Sequence, residues 1–210
     1  MNTPNQTLWS SIHGLLDHPL LFHTKQQIAT SKYRSFKASF SPFVKFGEIQ
    51  GKNILDVGCG TGLCSHHLFS ENANQIFGID ISYEYVLWAK RLYPHNHFAC
   101  GGADHMPFPP NTFDFILLSS ILHHLPDHVA QSLFKGIISS CRPDAHIIIS
   151  EPIWSDDKIS NFLLRHDRGQ FVKNSEGYLE LIKDYFKPKH QFVFKYARTN
   201  FLGIVAGLSS

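Results

Sequence analysis

Three closely spaced glycines directly after a short apolar run constrain the fold of this chain more than any other feature. The run is Asn53–Val57, and the glycines are Gly58, Gly60 and Gly62. An apolar run of this length predicts a buried strand, and the residues that follow, as far as Ser70, are typical of a helix. A strand, a glycine turn and a helix form the first half of a βαβ unit, which indicates a parallel sheet.

Apolar runs and helical segments continue to alternate along the chain. We predict strands at residues 53–57, 75–80, 98–100, 113–118 and 146–150, and helices at 83–92, about 126–140 and 176–186. Two further apolar runs, 191–196 and 201–206, are separated only by residues 197–200, which predicts an antiparallel hairpin. The fold class is therefore α/β, with a Rossmann-like, doubly wound, mostly parallel seven-stranded sheet and an antiparallel terminal strand.

The first 50 residues differ in pattern from the rest of the chain. They lack strand-like alternation and carry spaced apolar side chains such as Leu15, Ile28 and Phe36. This spacing predicts two or three helices. We interpret residues 1–50 as an N-terminal helical cap and residues 51–210 as a single compact unit.

Composition excludes several classes of protein and partner. The 210 residues are 43% hydrophobic and carry a formal net charge of +2 at pH 7, without a long basic run. This composition provides no basic surface that would bind nucleic acid or an anionic membrane.

The first residues carry no basic and apolar signal segment, so we expect a cytoplasmic protein, whose oligomeric state the sequence leaves open. The cysteines are too scattered for a disulfide framework and the histidines form no zinc motif, so we expect no metal site.

The glycine turn lies where an α/β sheet binds its ligand, at the carboxyl end of the first strand. Asp80 ends the second predicted strand, 18 residues after Gly62, at a place where a carboxylate accepts both hydroxyls of a ribose. Leu63 stands in place of the third glycine of GxGxxG, which argues against NAD, and the lysine of a P-loop is absent. The alternative interpretation is a tight turn followed by a helix-capping aspartate.

Several segments in order resemble the motifs of one known family. Ile54–Gly62 resembles the first motif of the class I S-adenosylmethionine-dependent methyltransferases, in particular of their small-molecule, methyltransferase-11-like branch. Phe77–Ser82 is similar to the second motif, and residues 106–108, 111–114 and 122–127 are similar to the segments around the fourth strand. The resemblance covers about residues 51–152. It implies methyl transfer with S-adenosyl-L-methionine as cofactor and S-adenosyl-L-homocysteine as its product.

The resemblance also implies a role for individual residues around the cofactor. In it, Asp56 orients the amino group, Asp80 binds the ribose, Ile81 lies against the adenine, and Ser119 borders the sulfonium end. The backbone of the glycine turn faces the methionine part, through Gly58, Cys59, Gly60 and Gly62.

One position departs from the family pattern. Gly102 stands where the family usually has an aspartate that binds the adenine amino group. The resemblance implies that the backbone of Ala103 still reaches the ring. Asp104 replaces the missing carboxylate only if the loop shifts. Adenine recognition is therefore the part of the cofactor site that the resemblance defines least.

Two side chains are candidates for a general base. The sulfonium is already an activated methyl donor, so the protein mainly aligns the acceptor and excludes water. A hydroxyl or carbon acceptor still needs a base, and His123 near the end of the fourth strand and Glu151 at the end of the fifth could take the proton. The alternative for both is a structural role in capping or packing.

The acceptor is expected to contact segments outside the resemblance. We select Tyr33 in the cap, and Arg165 and Arg168 in the segment after the fifth strand, as candidate substrate-binding residues. Guanidinium groups suit a carboxylate or phosphate, and the alternative is a salt-bridged surface loop.

Residues 119–122 lack an Asn-Pro-Pro-Tyr-like run, which argues against methylation of adenine or glutamine amino groups, so we favour a small-molecule acceptor. A protein or RNA methyltransferase and a non-catalytic cofactor-binding protein are the alternatives.

Overall fold

A computed structural model describes residues 30–46, 49–70, 73, 75–102, 106, 108–166, 169–196 and 198–209, with side chains from residue 34 onward. The α-helices in these residues are α1 (Thr30–Phe40), α2 (Leu63–Phe69), α3 (Tyr83–Leu92), α4 (Asp127–Ser140), α5 (Lys158–Arg165) and α6 (Ser175–Ile182). The strands are β1 (Asn53–Val57), β2 (Gln75–Asp80), β3 (His97–Cys100), β4 (Phe113–Ser119), β5 (Cys141–Pro152), β6 (Phe186–Tyr196) and β7 (Thr199–Leu208). A short 3₁₀ helix spans Leu122–His124.

All seven strands form one sheet in the order β3-β2-β1-β4-β5-β7-β6. Strands β1 to β5 pair in parallel, whereas β7 pairs antiparallel with both β5 and β6. The expected fold class is confirmed: the sheet is mostly parallel, and the antiparallel strand is the last in the chain. That strand lies inside the sheet, between β5 and β6, because its hairpin with β6 folds back onto β5. The strand order reverses between β1 and β4, so a crevice opens at their carboxyl ends.

Both faces of the sheet are covered, which explains why consecutive strand residues are buried. Ile54 and Leu55 are adjacent in β1 and both fully buried, but they belong to different core clusters. The cluster around Leu55 packs the sheet against α4 and α6, and the cluster around Ile54 packs it against α1 and α2. Parallel strands covered on both faces give continuous apolar runs, as the sequence shows.

Phenylalanine rings attach α1 to β6. Phe36 lies 6.2 Å from Phe194, and Phe40 lies 4.9 Å from Phe192, measured between ring centroids. The contacts move toward the start of β6 as α1 proceeds, so α1 runs antiparallel to β6. Because β6 is parallel to β5, the first turn of α1 lies toward the carboxyl edge of the sheet. The division into a cap of residues 1–50 and a unit of residues 51–210 stays a prediction, and residues 1–29 lie outside the described residues.

The structure differs from the predicted elements in several places. Strand β5 begins at Cys141, five residues before its predicted start. The sequence prediction of a helix at 176–186 is wrong at its end, because α6 stops at Ile182 and Phe186 begins β6. Helix α5 was not predicted, since its segment is rich in polar and charged residues. It begins where the carboxylate of Asp157 accepts hydrogen bonds from the backbone N–H groups of Ile159 and Ser160, both at 3.0 Å. An Asp at this position is a helix signal that the apolar pattern alone does not contain.

No helix in the described part of the chain is both long and apolar enough to cross a lipid bilayer.

Candidate cofactor site

Asp80, at the carboxyl end of β2, is held in a fixed orientation beside the glycine turn. Its Oδ2 accepts a hydrogen bond from the backbone N–H of Gly60 at 2.8 Å, and its Oδ1 accepts one from Ser82 at 2.8 Å. Partial burial raises the pKa of this carboxyl, and the two backbone donors oppose the rise. Each carboxylate oxygen has a second lone pair. The arrangement therefore leaves one acceptor site per oxygen, which matches the two hydroxyls of a ribose.

The glycine turn requires glycine at its ends. Gly58 and Gly62 have φ values of +72° and +76°, in the left-handed region. The turn is tied to β2, since the N–H groups of Gly58 and Cys59 both donate to the carbonyl of Ile79. Burial raises the pKa of the Cys59 thiol well above its usual value, so this thiol is a neutral packing group. The turn is thus a rigid backbone surface next to Asp80.

An alanine at Gly62 should destabilise the protein by about 2–3 kcal/mol, because two penalties add. Its φ of +76° disfavours a side chain, and a Cβ would lie 2.7 Å from the buried ring of Phe98. Gly51→Ala is the matched control, since Gly51 has a φ of +78° but open space around it. Chemical denaturation of both variants separates the clash from the backbone penalty. Equal losses of unfolding free energy would show that the Phe98 ring moves without cost.

Asp56 in β1 is a buried carboxyl beneath the glycine turn, only 2% exposed. The pKa of this carboxyl is raised to about 7, chiefly because burial desolvates it; hydrogen bonding from Ser65 opposes the rise and the charge of nearby Asp80 adds to it. Among the described residues its Oδ2 has no hydrogen-bond partner. A buried acceptor of this kind is costly unless a ligand supplies a donor. The ammonium group of a methionine moiety is such a donor, which agrees with the position implied by the sequence motif.

The neighbouring surface is apolar and open. Ile81 follows Asp80 directly, and its side chain is 81% exposed. Because Ile81 is this exposed and lies beside Asp80, its side chain offers an apolar surface to a flat ring. Gly102 is next to Gly101, whose backbone N–H donates a hydrogen bond to the carbonyl of Asp80 at 3.0 Å. Ala103 and Asp104 lie outside the described residues, so their implied adenine contacts stay predictions.

The chain turns sharply after β4, close to the glycine turn. Ser119 is the last residue of β4, and Ser120 adopts a positive φ of 58° while its N–H donates to the carbonyl of Ser150. Ile121 then lies against the glycine turn, since a Cβ on Gly58 would come within 2.6 Å of its Cδ1 atom. Ile121 was not among the residues selected from the sequence, because its contact with Gly58 depends on two strands meeting at one edge. The loop after β4 therefore forms one wall of the crevice.

Glu151 holds this loop in place. Its Oε1 accepts hydrogen bonds from the backbone N–H groups of Ile121 and Leu122, both at 2.8 Å. Its Oε2 lies 2.7 Å from Nδ1 of His123 and 3.4 Å from the backbone nitrogen of the same residue. The two side chains are 0% and 2% exposed. The structure therefore brings both candidate bases together, but as a buried pair that caps the 3₁₀ helix Leu122–His124.

The ring of His123 is also covered from the other side. A Cβ on Gly169 would lie 2.0 Å from its Cδ2 atom, and the backbone N–H of Phe171 donates to the carbonyl of His123. The geometry favours the capping and packing alternative over a base that is already exposed to an acceptor. The catalytic roles of His123 and Glu151 stay predictions.

The candidate substrate-binding residues are only partly described. Arg165 ends α5 and is exposed. Arg168 lies outside the described residues, and Tyr33 lies in α1 with a side chain that is not described. The three are therefore not brought into one site by what the structure describes. No group of three or more His, Cys, Asp or Glu side chains in the described ranges is arranged to hold a metal ion.

Comparison with known proteins identifies the same segment as the sequence motifs. Residues 54–144 match a family model described as a methyltransferase domain. The chain is 27% identical over 153 residues to a ubiquinone biosynthesis O-methyltransferase of Hydrogenovibrio crunogenus, which covers 64% of this chain and 62% of that protein. It is 31% identical over 123 residues to an ajmaline N-methyltransferase of Rauvolfia serpentina, which covers 56% of this chain and 42% of that protein. The chain thus spans less than two thirds of these curated relatives.

Solved structures share the fold. A SAM-dependent methyltransferase from Aquifex aeolicus superposes with a TM-score of 0.67 at 19% identity, covering 88% of this chain and 96% of that one. A magnesium protoporphyrin IX methyltransferase from Synechocystis, solved with bound SAH, superposes with a TM-score of 0.66 at 17% identity, covering 85% and 83%. At such identities the superpositions show the fold. Fold, family model and motifs agree that residues 54–144 form a methyltransferase domain, similar to those of the S-adenosylmethionine-dependent methyltransferases.

Proposed function

We propose that this protein transfers the methyl group of S-adenosylmethionine to a small-molecule nucleophile by in-line displacement. The observation that carries the proposal is the Asp80 carboxylate, which two backbone donors fix beside a glycine turn that closely resembles the family's first motif. The bound cofactor supplies an activated methyl group. What the protein must add is orientation of both reactants and exclusion of water.

The described residues supply separate parts of that orientation. Asp80 accepts the ribose hydroxyls, and the exposed side chain of Ile81 covers one face of the adenine. Asp56 receives the ammonium group at its unpartnered Oδ2. Ser119 and the loop that Glu151 holds border the end where the methyl group is transferred. These assignments are supported by the family resemblance and by the contacts of Asp80 and Ile121 with the glycine turn.

A small organic acceptor fits the chain better than a macromolecule. The net charge of +2 gives no basic surface of the kind that binds RNA. Relatives named for O- and N-methylation of small molecules support the same substrate class. A carboxylate or thiolate acceptor needs no base. For a hydroxyl, His123 remains the candidate, because Glu151 orients its ring through Nδ1, and the segment at Gly169 would have to move to uncover it.

Replacing Asp80 by alanine should weaken binding of S-adenosylhomocysteine at least tenfold. The variant loses the two hydrogen bonds that a charged acceptor makes with the ribose, each worth about 1.5–3 kcal/mol. Glu84→Ala is the matched control, because Glu84 is an exposed acid in the first turn of α3 and should leave the affinity unchanged. Calorimetric titration of the three proteins measures the effect.

The same titration tests the proposed function itself. We expect micromolar binding of S-adenosylhomocysteine to the native protein and none of NAD. Equal affinities of native protein and Asp80→Ala would remove Asp80 from the site. Binding of neither ligand would contradict the proposal that this chain uses the family's cofactor.

A further inference from the structure

A cavity lies at the amino edge of the sheet, and we call it the amino-edge cavity. Its volume is about 380 Å³, which is within the range of small-molecule sites. Phe115 of β4 and His146 of β5 line it from the sheet, and they are neighbours in register beside Ile54 near the start of β1. The glycine turn follows the other end of β1. The cavity is therefore separate from the crevice that holds the candidate cofactor site.

Aromatic rings line this cavity. The rings of Phe115 and His146 are stacked, with centroids 5.1 Å apart and planes inclined by 20°. Phe43, which lines the cavity from the α1 side, is stacked in turn on His190 of β6 at 4.7 Å. Phe43, Phe115 and His146 are all half-buried, so each ring keeps part of its surface accessible. Accessible rings that are held in place favour a ligand with a flat apolar group.

Cationic side chains outnumber acidic ones around the cavity, among the residues that the structure describes. The acids Asp114 and Asp144 line it together with Lys45 and Lys52, and it is adjoined by Arg142, beside Asp114, and by Lys189, whose charge acts on His146. The side chain of Asp114 is 10% exposed, and its Oδ1 lies 3.2 Å from Nζ of Lys52 and 3.5 Å from Nε of Arg142. Two cations beside one carboxylate leave an excess of positive charge.

Lys52 is the side chain best placed to bind an anion in the cavity. An ammonium group has three hydrogen-bond donors. The contact with Asp114 uses one of them, while the side chain is 42% exposed and lines the cavity. Asp114 is also held by the backbone N–H of Asn53, which donates to its Oδ2 at 2.9 Å. Lys52 is thus anchored through one donor and presents its charge to a ligand through the others.

The imidazole of His146 reports the charge inside the cavity. Burial lowers the pKa of His146, the charges of Lys189 and Lys52 lower it as well, and Asp144 opposes them. The ring is therefore neutral at pH 7, beside lysines whose charge disfavours its protonation. A bound anion would offset the charge of the lysines and raise the pKa of this ring.

We propose that the amino-edge cavity binds a small aromatic carboxylate. Its ring packs against Phe43, Phe115 and His146. Its carboxylate accepts hydrogen bonds from the ammonium group of Lys52. This ligand is neither the cofactor nor the methyl acceptor, since both of those bind beyond the other end of β1. The inference depends on the fold and the charges around the cavity and not on the proposed methyl transfer.

Titration of the native protein with benzoate, followed by proton NMR of the histidine rings, tests this inference. The His146 signal, which is identified by its loss in His146→Gln, should shift to saturation, and the pKa of His146 should be higher in the complex. Benzamide has the same ring without the charge, and inorganic phosphate has the charge without a ring. Each should bind roughly tenfold more weakly than benzoate, because each lacks one half of the recognition.

Variants distinguish the contribution of the charge from that of the ring. Lys52→Gln should weaken benzoate binding roughly tenfold, since the amide keeps a donor for Asp114 but brings no charge to the ligand. Lys90→Gln is the matched control and should bind as the native protein does, because Lys90 is an exposed lysine in the last turn of α3. Phe43→Leu keeps an apolar side chain and removes a ring, so it should also weaken binding. Circular dichroism checks that each variant is folded.

A His146 signal that benzoate leaves unshifted would overturn the inference, and so would native affinity in folded Lys52→Gln. Phosphate that binds as tightly as benzoate would contradict it as well, because the site would then be a group of cations with no preference for a ring. Benzamide that binds as tightly as benzoate would exclude the role of Lys52. The samples contain no cofactor, so these outcomes are independent of the proposed function.

Discussion

An alanine in place of Glu151 should lower the free energy of unfolding by about 3–5 kcal/mol. The carboxylate accepts from the backbone N–H groups of Ile121, Leu122 and His123 and pairs with Nδ1 of His123, and all of these contacts except the one to Ile121 are buried. Truncation leaves buried donors without an acceptor, and each unsatisfied donor costs about 1–3 kcal/mol. Chemical denaturation measures the loss.

Two further variants define the origin of that loss. Glu151→Gln keeps one oxygen that can accept from Ile121 and Leu122, but its amide group faces the donors of His123, so we expect an intermediate loss. Glu180→Ala is the control for removing an acid: Glu180 is exposed and, among the described residues, forms an ion pair with Lys183 one turn on, so its loss should stay below about 0.5 kcal/mol. A Glu151→Ala variant as stable as Glu180→Ala would contradict the capping role.

The same variant should also affect the cofactor site, through the position of one loop. Glu151 holds Ile121, and Ile121 packs over Gly58 in the glycine turn. Loss of the carboxylate frees the loop after β4, which forms one wall of the crevice. At temperatures where the variant is folded, the affinity for S-adenosylhomocysteine should therefore fall together with turnover. A base that acted only on the acceptor would lower turnover and leave this affinity unchanged.

The sequence predicts the sheet well because the signals are local. β1 and β2 agree with the predicted ranges 53–57 and 75–80, since buried parallel strands appear as continuous apolar runs with sharp ends. The hairpin was predicted from the short gap between its strands. The start of β6 was missed because only residues 183–185 separate it from α6, and the burial of Phe186 against Phe134 of α4 depends on tertiary packing.

The candidate site shows the same division between local and tertiary information. Asp80 and the glycine turn occur in a fixed spacing, so their neighbourhood is encoded within about 20 residues of sequence. The pair of Glu151 and His123 has no such spacing. It forms because β4 and β5 are neighbours with Ser119 opposite Ser150, which places the end of β5 beneath the loop after β4. The two residues could be selected as candidates from the sequence, but their burial could not be predicted from it.

Asparagine in place of Asp56 should stabilise the ligand-free protein at pH 8 by about 1–3 kcal/mol. Burial raises the pKa of Asp56 from 3.8 to about 7, so the folded protein keeps a proton that the unfolded chain has lost between these values. The stability contributed by this group is full below about pH 4 and is lost as the pH rises through about 7. At pH 8 the native protein therefore contains a buried carboxylate, whereas the amide is neutral. The amide's own unpartnered donor reduces the gain.

Dependence on pH separates this effect from ordinary repacking. The difference in unfolding free energy between Asp56→Asn and native protein should grow from pH 5 to pH 8, because only the native protein titrates. Asp144→Asn, which changes an exposed acid, should show a constant difference below about 0.5 kcal/mol. A difference for Asp56→Asn that is the same at both pH values would mean that the carboxyl titrates in its ordinary range.

Binding should change in the opposite direction to stability in Asp56→Asn. If the Oδ2 atom without a partner receives the ammonium group, the amide variant binds S-adenosylhomocysteine at least tenfold more weakly at pH 8. Native affinity should fall as the pH drops from 7 to 5.5, because the ligand must then displace a proton from Asp56, and the variant's affinity should stay flat. A more stable protein that binds less ligand is expected where a buried charge is kept for function. Calorimetry at both pH values measures this, and a variant that binds as the native protein does would place the ammonium group elsewhere.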